Sequence, residues 1–135
     1  YYEQQILGFN YRLTDIQAAL GISQLQRLDS FVEKRRAIAK QYCDQLNDDI
    51  LPYQHPDTNS SWHLFVIQTK NRKEIYQNLR EQDIMAQVHY IPVNHQPFHN
   101  AKILINSDVF YQYCLSLPIY VDLTVDEQKK VISFL

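Results

Sequence analysis

Thr14 and Gln17 stand three residues apart, directly ahead of a stretch whose apolar residues recur at helical spacing. In such a capping box the threonine hydroxyl accepts from a first-turn N–H and the glutamine side chain reaches back to the cap, so a helix start is fixed locally. Ile16, Ala19, Leu20, Leu25 and Leu28 continue the 3-4 spacing. Leu13 and Ala18 take the positions of a weak hydrophobic staple. Gly21 costs roughly 1 kcal/mol relative to alanine inside a helix, which a close approach by another backbone would explain. Ahead of the cap, Asn10 and Arg12 offer a neutral amide and a cation where side chains and unpaired N–H groups commonly meet anions.

The same box recurs at Ser30 and Glu33, which predicts a second helix starting there and a break near Asp29. Phe31, Val32, Arg35, Ile38, Ala39, Tyr42 and Leu46 keep the spacing up to an Asn47-Asp48-Asp49 turn. Residues 50–53 make a short strand candidate, and residues 55–61 have loop chemistry throughout. Residues 62–69 form a nearly continuous apolar run, suited to a strand buried on both faces. Asn71 and Glu74 are placed to cap a helix carrying Ile75, Tyr76 and Leu79. Residues 84–90 alternate, with Met85, Gln87 and His89 on one face and Ala86, Val88 and Tyr90 on the other. Pro92 and Pro97 bracket an irregular segment. Asp108 is placed to cap a helix with Val109, Phe110, Tyr113 and Cys114, and Thr124 with Glu127 makes a third box opening a last helix. The sum is an α/β chain: a small sheet packed on helices, preceded by a long helical arm.

Composition narrows the chemistry. A net charge of −2 lacks the basic excess of a dedicated nucleic-acid binder. The basic cluster Lys34, Arg35, Arg36 and Lys40 fits a solvated helix face. Only Gly8 and Gly21 are glycines, so no Gly-rich phosphate loop of the Walker or Rossmann type can be built. Cys43 and Cys114 form no CxxC and are expected as buried free thiols in a reducing compartment. No G-x-S-x-G elbow is present. No apolar run approaches the roughly 20 residues that span a bilayer, and no signal peptide is visible, so a cytoplasmic protein is expected. The chain opens on Tyr1 and stops at Leu135 within an apolar periodic segment, so it is expected to be part of a longer protein.

His89, Tyr90, His95 and His99 gather around the proline-bracketed segment. A zinc site, a substrate-contacting loop and plain surface histidines are the three readings. Pro97 disfavours the helix that would align His95 with His99, and no Cys or acidic third ligand lies nearby in sequence, so no metal is assigned.

The block at residues 8–19 resembles a motif of the DegT/DnrJ/EryC1/StrS sugar-nucleotide aminotransferases, whose usual run is Gly-Tyr-Asn-Tyr-Arg-Met-Thr-Asp-Ile-Gln-Ala-Ala. Phe9 and Leu13 are mild changes. Val88-His89-Tyr90-Ile91-Pro92-Val93, Gln96-Pro97-Phe98, Cys114-Leu115-Ser116-Leu117-Pro118 and Asp122-Leu123-Thr124 agree in order and spacing, with Val121 where the family usually has proline. The resemblance implies the fold type I (aspartate aminotransferase) class of pyridoxal-phosphate-dependent transferases. It implies an interdomain arm over 1–48 with a cofactor-contacting loop, and a C-terminal small α/β domain over 49–135. The implied parent is a cytoplasmic homodimer. It would aminate C4 of a UDP-linked 4-keto-6-deoxy sugar, as in pseudaminic-acid synthesis, with an amino acid, glutamate, as donor. Alternatives are C3 amination, dehydration by a relative with histidine in place of the catalytic lysine, or a non-catalytic module retaining the fold.

Residue by residue, the resemblance implies that Asn10 hydrogen-bonds the partner subunit's pyridoxal phosphate. Arg12 would lie near that phosphate or the sugar nucleotide, and His89, Tyr90 and His95 would line the sugar side. The Schiff-base lysine of such enzymes lies upstream of this block, and none of the seven lysines here matches it. The chain is therefore expected to hold no catalytic residue and to be inactive alone.

Overall fold

The computed structural model describes residues 6–9, 11–99 and 103–135; Asn10 lies outside them. Helix α1 (Asp15–Leu25) begins as the first box requires. The Gln17 N–H donates to Thr14 Oγ1, and the Thr14 N–H donates to Gln17 Oε1 at 2.9 Å. Helix α2 (Leu28–Gln45) follows after two residues, with no side-chain cap. The Ser30–Glu33 box is thus not used. The helix has already started at Leu28, and the break falls at Gln26 and Arg27 rather than near Asp29.

Every residue of α1 except the half-buried Ala18 is exposed, Ile16 at 83%. Leu13 is exposed as well, and a Cβ placed on Gly21 would meet nothing within 4 Å. No backbone of the described chain accounts for that glycine. Helix α2, by contrast, turns Ile38, Ala39 and Tyr42 into the core.

After α2, Asp48–Ile50 is a 3₁₀ turn rather than the lead into a strand. Among the described residues, none pairs with 50–53 as a strand, and Pro52 lacks an N–H to give. The loop at 55–61 carries no regular element, as its composition predicts. Arg35 and Arg36 leave the solvated face expected of them and brace this loop. Arg35 Nη1 donates to the carbonyls of Trp62 (3.2 Å) and His63 (3.1 Å), and Arg36 Nε to that of Ser60 (3.0 Å). Those bonds span a left-handed backbone at Trp62 (φ 50°), an uncommon conformation for a bulky residue that surrounding contacts must hold.

Strand β1 (Phe65–Gln68) buries Phe65 and Ile67 and leaves Gln68 exposed, so the run at 62–69 is covered on one face, not two. Helix α3 (Arg72–Glu81) carries Ile75, Tyr76 and Leu79 inward, but Asn71 makes no side-chain cap. Helix α4 (Ile105–Tyr113) starts three residues before Asp108, which lies in its first turn, and ends before Cys114. Cys114 opens strand β2 (Cys114–Leu117), whose four residues are all buried. β2 pairs antiparallel with β1, Phe65 opposite Leu117 and Gln68 opposite Cys114. On its other edge it meets a single bridge, Gln87 opposite Ser116. That position between two neighbours explains why β2, not β1, is covered throughout. The alternating segment 84–90 joins the sheet only at this bridge, because Pro118 ends the partner strand's run of donors. Helix α5 (Val125–Ile132) opens with the Thr124–Glu127 box intact.

The core gathers Ile38, Ala39 and Tyr42 from α2, Phe65 and Ile67 from β1, Leu79 from α3, Leu115 and Leu117 from β2 and Val131 from α5. Tyr42 packs on Phe65 with ring centroids 4.9 Å apart, and its hydroxyl donates to the Pro118 carbonyl at 2.9 Å. The buried Gln128 amide donates to the Ile38 carbonyl at 2.8 Å and ties α5 to α2. Among the described residues, no helix is long and apolar enough to cross a membrane.

Candidate functional site

The alternation read at residues 84–90 has a structural consequence. Gln87 and His89 share a face, and the bridge at Gln87 brings Ser116 of β2 beneath them. His89 Nδ1 lies 2.8 Å from Ser116 Oγ, and His89 Nε2 lies 2.8 Å from Gln87 Oε1. The Tyr90 ring meets the imidazole edge-on at 4.6 Å and is 70% exposed. These residues line an open groove of about 370 Å³ with Met85, Arg35 and His63.

His89 and Tyr90 are thus brought together; the other sequence candidates are not in this groove. His95 sits in a 3₁₀ turn (Val93–His95) and pairs through Nε2 with Asp108 Oδ1 of α4 at 2.6 Å. His99 is exposed and meets Phe98 edge-on. Arg12 is exposed on the segment before α1. Among the described residues, no three of His, Cys, Asp and Glu gather closely enough to hold a metal ion.

Gln87, Ser116, His63 and Arg35 line the groove but were not among the sequence candidates. For Gln87 the signal existed, since the period-2 pattern puts it beside His89. Ser116 lies 27 residues from His89 and is found only through the pairing of β2.

Cys114 lies under the site, with its thiol 3.9 Å from the His89 carbonyl and 3.6 Å from that of Tyr111. Burial pushes this thiol's pKa up, and the nearby Arg72 only partly opposes that. Cys43 is half-buried rather than buried. Burial raises its pKa too, Asp44 adding to the rise and Lys40 opposing it. A thiol kept protonated is a poor nucleophile, so neither is placed for covalent catalysis.

The groove offers an amide, a phenol and imidazoles, a set suited to hydroxyl and carbonyl oxygens. Arg35, the cation in its wall, is already bonded to two carbonyls. Among the described residues no lysine lines it. The groove therefore has groups for neutral polar oxygens and, among the described residues, no uncommitted cation for a phosphate and no lysine for a Schiff base.

This architecture is that of the fold type I transferases. The S. venezuelae enzyme DesV, solved in complex with a ketimine intermediate, superimposes over 98% of this chain and 38% of its own, with a TM-score of 0.91 at 33% identity. The chain belongs to the DegT/DnrJ/EryC1/StrS aminotransferase family, whose sequence model matches residues 1–135. It is 33% identical to the spore coat polysaccharide biosynthesis protein SpsC of Bacillus subtilis, over 98% of this chain and 38% of the relative. It is also 33% identical to a UDP-4-amino-4,6-dideoxy-N-acetyl-beta-L-altrosamine transaminase of Campylobacter jejuni, over 93% of this chain and 36% of that protein. The chain thus spans little more than a third of the length of these relatives.

Proposed function

We propose that this chain is the C-terminal part of a pyridoxal-phosphate-dependent aminotransferase acting on a nucleotide-linked 4-keto-6-deoxy sugar. Residues 1–48 serve as an interdomain arm and residues 49–135 as the small domain. The observation that carries this reading is the family match along the whole chain, joined to a groove whose donors suit sugar oxygens. The likeness to the C. jejuni transaminase supports a UDP-linked substrate aminated at C4. In the net reaction the donor, glutamate, gives its amino group to the keto carbon of the sugar and takes the keto oxygen in return.

When bound, pyridoxal phosphate supplies the electron sink for moving that amino group. The residues of this chain bind and orient. His89 and Tyr90 face the sugar side, His95 lies outside their groove and is paired with Asp108, and Arg12 lies near the phosphate or the nucleotide. Asn10, which lies outside the described residues, hydrogen-bonds the cofactor's phosphate in the neighbouring subunit of a homodimer. The catalytic lysine lies outside this chain, so the chain alone is inactive. The uncovered apolar residues of α1 support an arm that packs on protein beyond itself.

The full-length protein is expected to be yellow with bound pyridoxal phosphate. Asn10→Ala is expected to weaken cofactor retention about 10–100-fold, the worth of one hydrogen bond to a charged group. A colourless protein that ignores added pyridoxal phosphate would contradict the enzyme reading, and unchanged retention in the variant would remove Asn10 from the site.

A further inference from the structure

The polarity of the groove is set from below, by Ser116. Its side chain is buried, and among the described residues the hydroxyl has one partner, His89 Nδ1. A serine hydroxyl has one proton to give, and a buried O–H left without an acceptor is costly. Ser116 therefore donates and Nδ1 accepts. A neutral imidazole then carries its proton on Nε2, and that N–H donates to Gln87 Oε1. With its oxygen occupied, Gln87, an exposed residue of the groove wall, has its carboxamide nitrogen left to offer. The backbone bridge between Gln87 and Ser116, with N–H to O distances of 3.1 and 2.8 Å, holds both ends of the chain of bonds in register.

We propose that Ser116, His89 and Gln87 form a one-directional hydrogen-bond relay that presents the Gln87 side-chain N–H into the groove as a specificity-determining donor for an acceptor oxygen of the sugar. Gln87 is the group that touches the ligand; Ser116 and His89 are positioning residues that act through it. Both ring nitrogens of His89 are engaged, so its contribution to recognition passes through Gln87. A carboxamide free to flip would accept both donors and acceptors, whereas one fixed by its oxygen selects acceptors. The inference deepens the sugar-nucleotide reading and rests on it.

Two measurements on the full-length protein test it. Histidine ¹⁵N shifts, recorded without substrate, are expected to show His89 as the Nε2–H tautomer, with the preference lost in Ser116→Ala. An Nδ1–H tautomer in the unmodified protein would overturn the relay. In Gln87→Glu, one carboxylate oxygen still meets His89, but the outward donor becomes an acceptor. The KM for the nucleotide sugar is expected to rise about tenfold or more, with kcat changed less than about threefold. An unchanged KM in an active variant would overturn the role of Gln87 alone. A parent protein that turns over no nucleotide sugar would instead overturn the reading on which it rests.

Discussion

Tyr42 is the residue on which most of the core converges. Its ring packs on Phe65, and its hydroxyl satisfies the Pro118 carbonyl at the end of β2. Burial, reinforced by the charge on Tyr120, pushes its pKa well above the ordinary tyrosine range. An acid whose folded pKa is raised contributes stability that is whole below its unfolded value, about 10. That contribution drains away as the pH rises past that value. Tyr42→Phe keeps the ring and leaves the Pro118 carbonyl unpaired, so it is expected to cost about 1–3 kcal/mol at neutral pH. It should also remove the Tyr42 share of the alkaline loss. A urea midpoint indistinguishable from the parent at pH 7 would contradict that assignment. The thiols give a second residue-scale check: both are expected to alkylate slowly at pH 7 in the folded protein, Cys114 more slowly than the half-buried Cys43. Rapid labelling of Cys114 would contradict its burial beneath the groove. What the sequence shows at this scale is whatever acts over three or four positions, or along one extended segment. Gln87 and His89 on one face were legible; the hydroxyl of Ser116 beneath them was not, because only a strand pairing brings it there.

Among the elements, α5 is the one most openly written in the chain. The Thr124 N–H donates to Glu127 Oε2 at 2.8 Å, and the Glu127 N–H donates to Thr124 Oγ1 at 3.2 Å. The Thr124 backbone N–H and hydroxyl, both donating to its carboxylate, lower the Glu127 pKa. A carboxylate with a depressed folded pKa contributes stability above its unfolded value, and that is lost as the pH falls through the folded one. Amide protection in the first turn of α5 is therefore expected to fall once the pH drops below about 4. In Glu127→Gln the same profile should be flat, and a parent-like acid limb in that variant would contradict the cap. Thr124→Ala should speed exchange there about fivefold, the worth of one cap. Two of three boxes formed. Ser30 and Glu33 failed because α2 had already begun at Leu28, which puts Ser30 inside the first turn rather than at the cap. The strands were harder to read for a different reason. Residues 50–53 and 62–69 have strand composition, but which face is covered, and whether a ladder forms, depends on the neighbour. The strand with all four residues buried, β2, follows a helix with no intervening turn to announce it.

Taken whole, the chain is one core with an arm that the core does not cover. The core residues, from Ile38 of α2 to Val131 of α5, close on one another, whereas Ile16, Leu20, Ile22 and Leu25 of α1 remain exposed. A free apolar helix of this kind is an interface in waiting. In the homodimer we propose, sedimentation of the full-length protein should give twice the protomer mass; a monomer carrying bound cofactor would contradict a site shared between subunits. The most direct test of the central claim follows the nitrogen. Full-length protein supplied with pyridoxal phosphate, ¹⁵N-glutamate and a UDP-linked 4-keto-6-deoxy sugar is expected to yield a sugar carrying ¹⁵N at C4. The label at C3 of a 3-keto substrate would shift the carbon and keep the class. No transfer of label to any nucleotide sugar, by a protein that has bound its cofactor, would contradict the account.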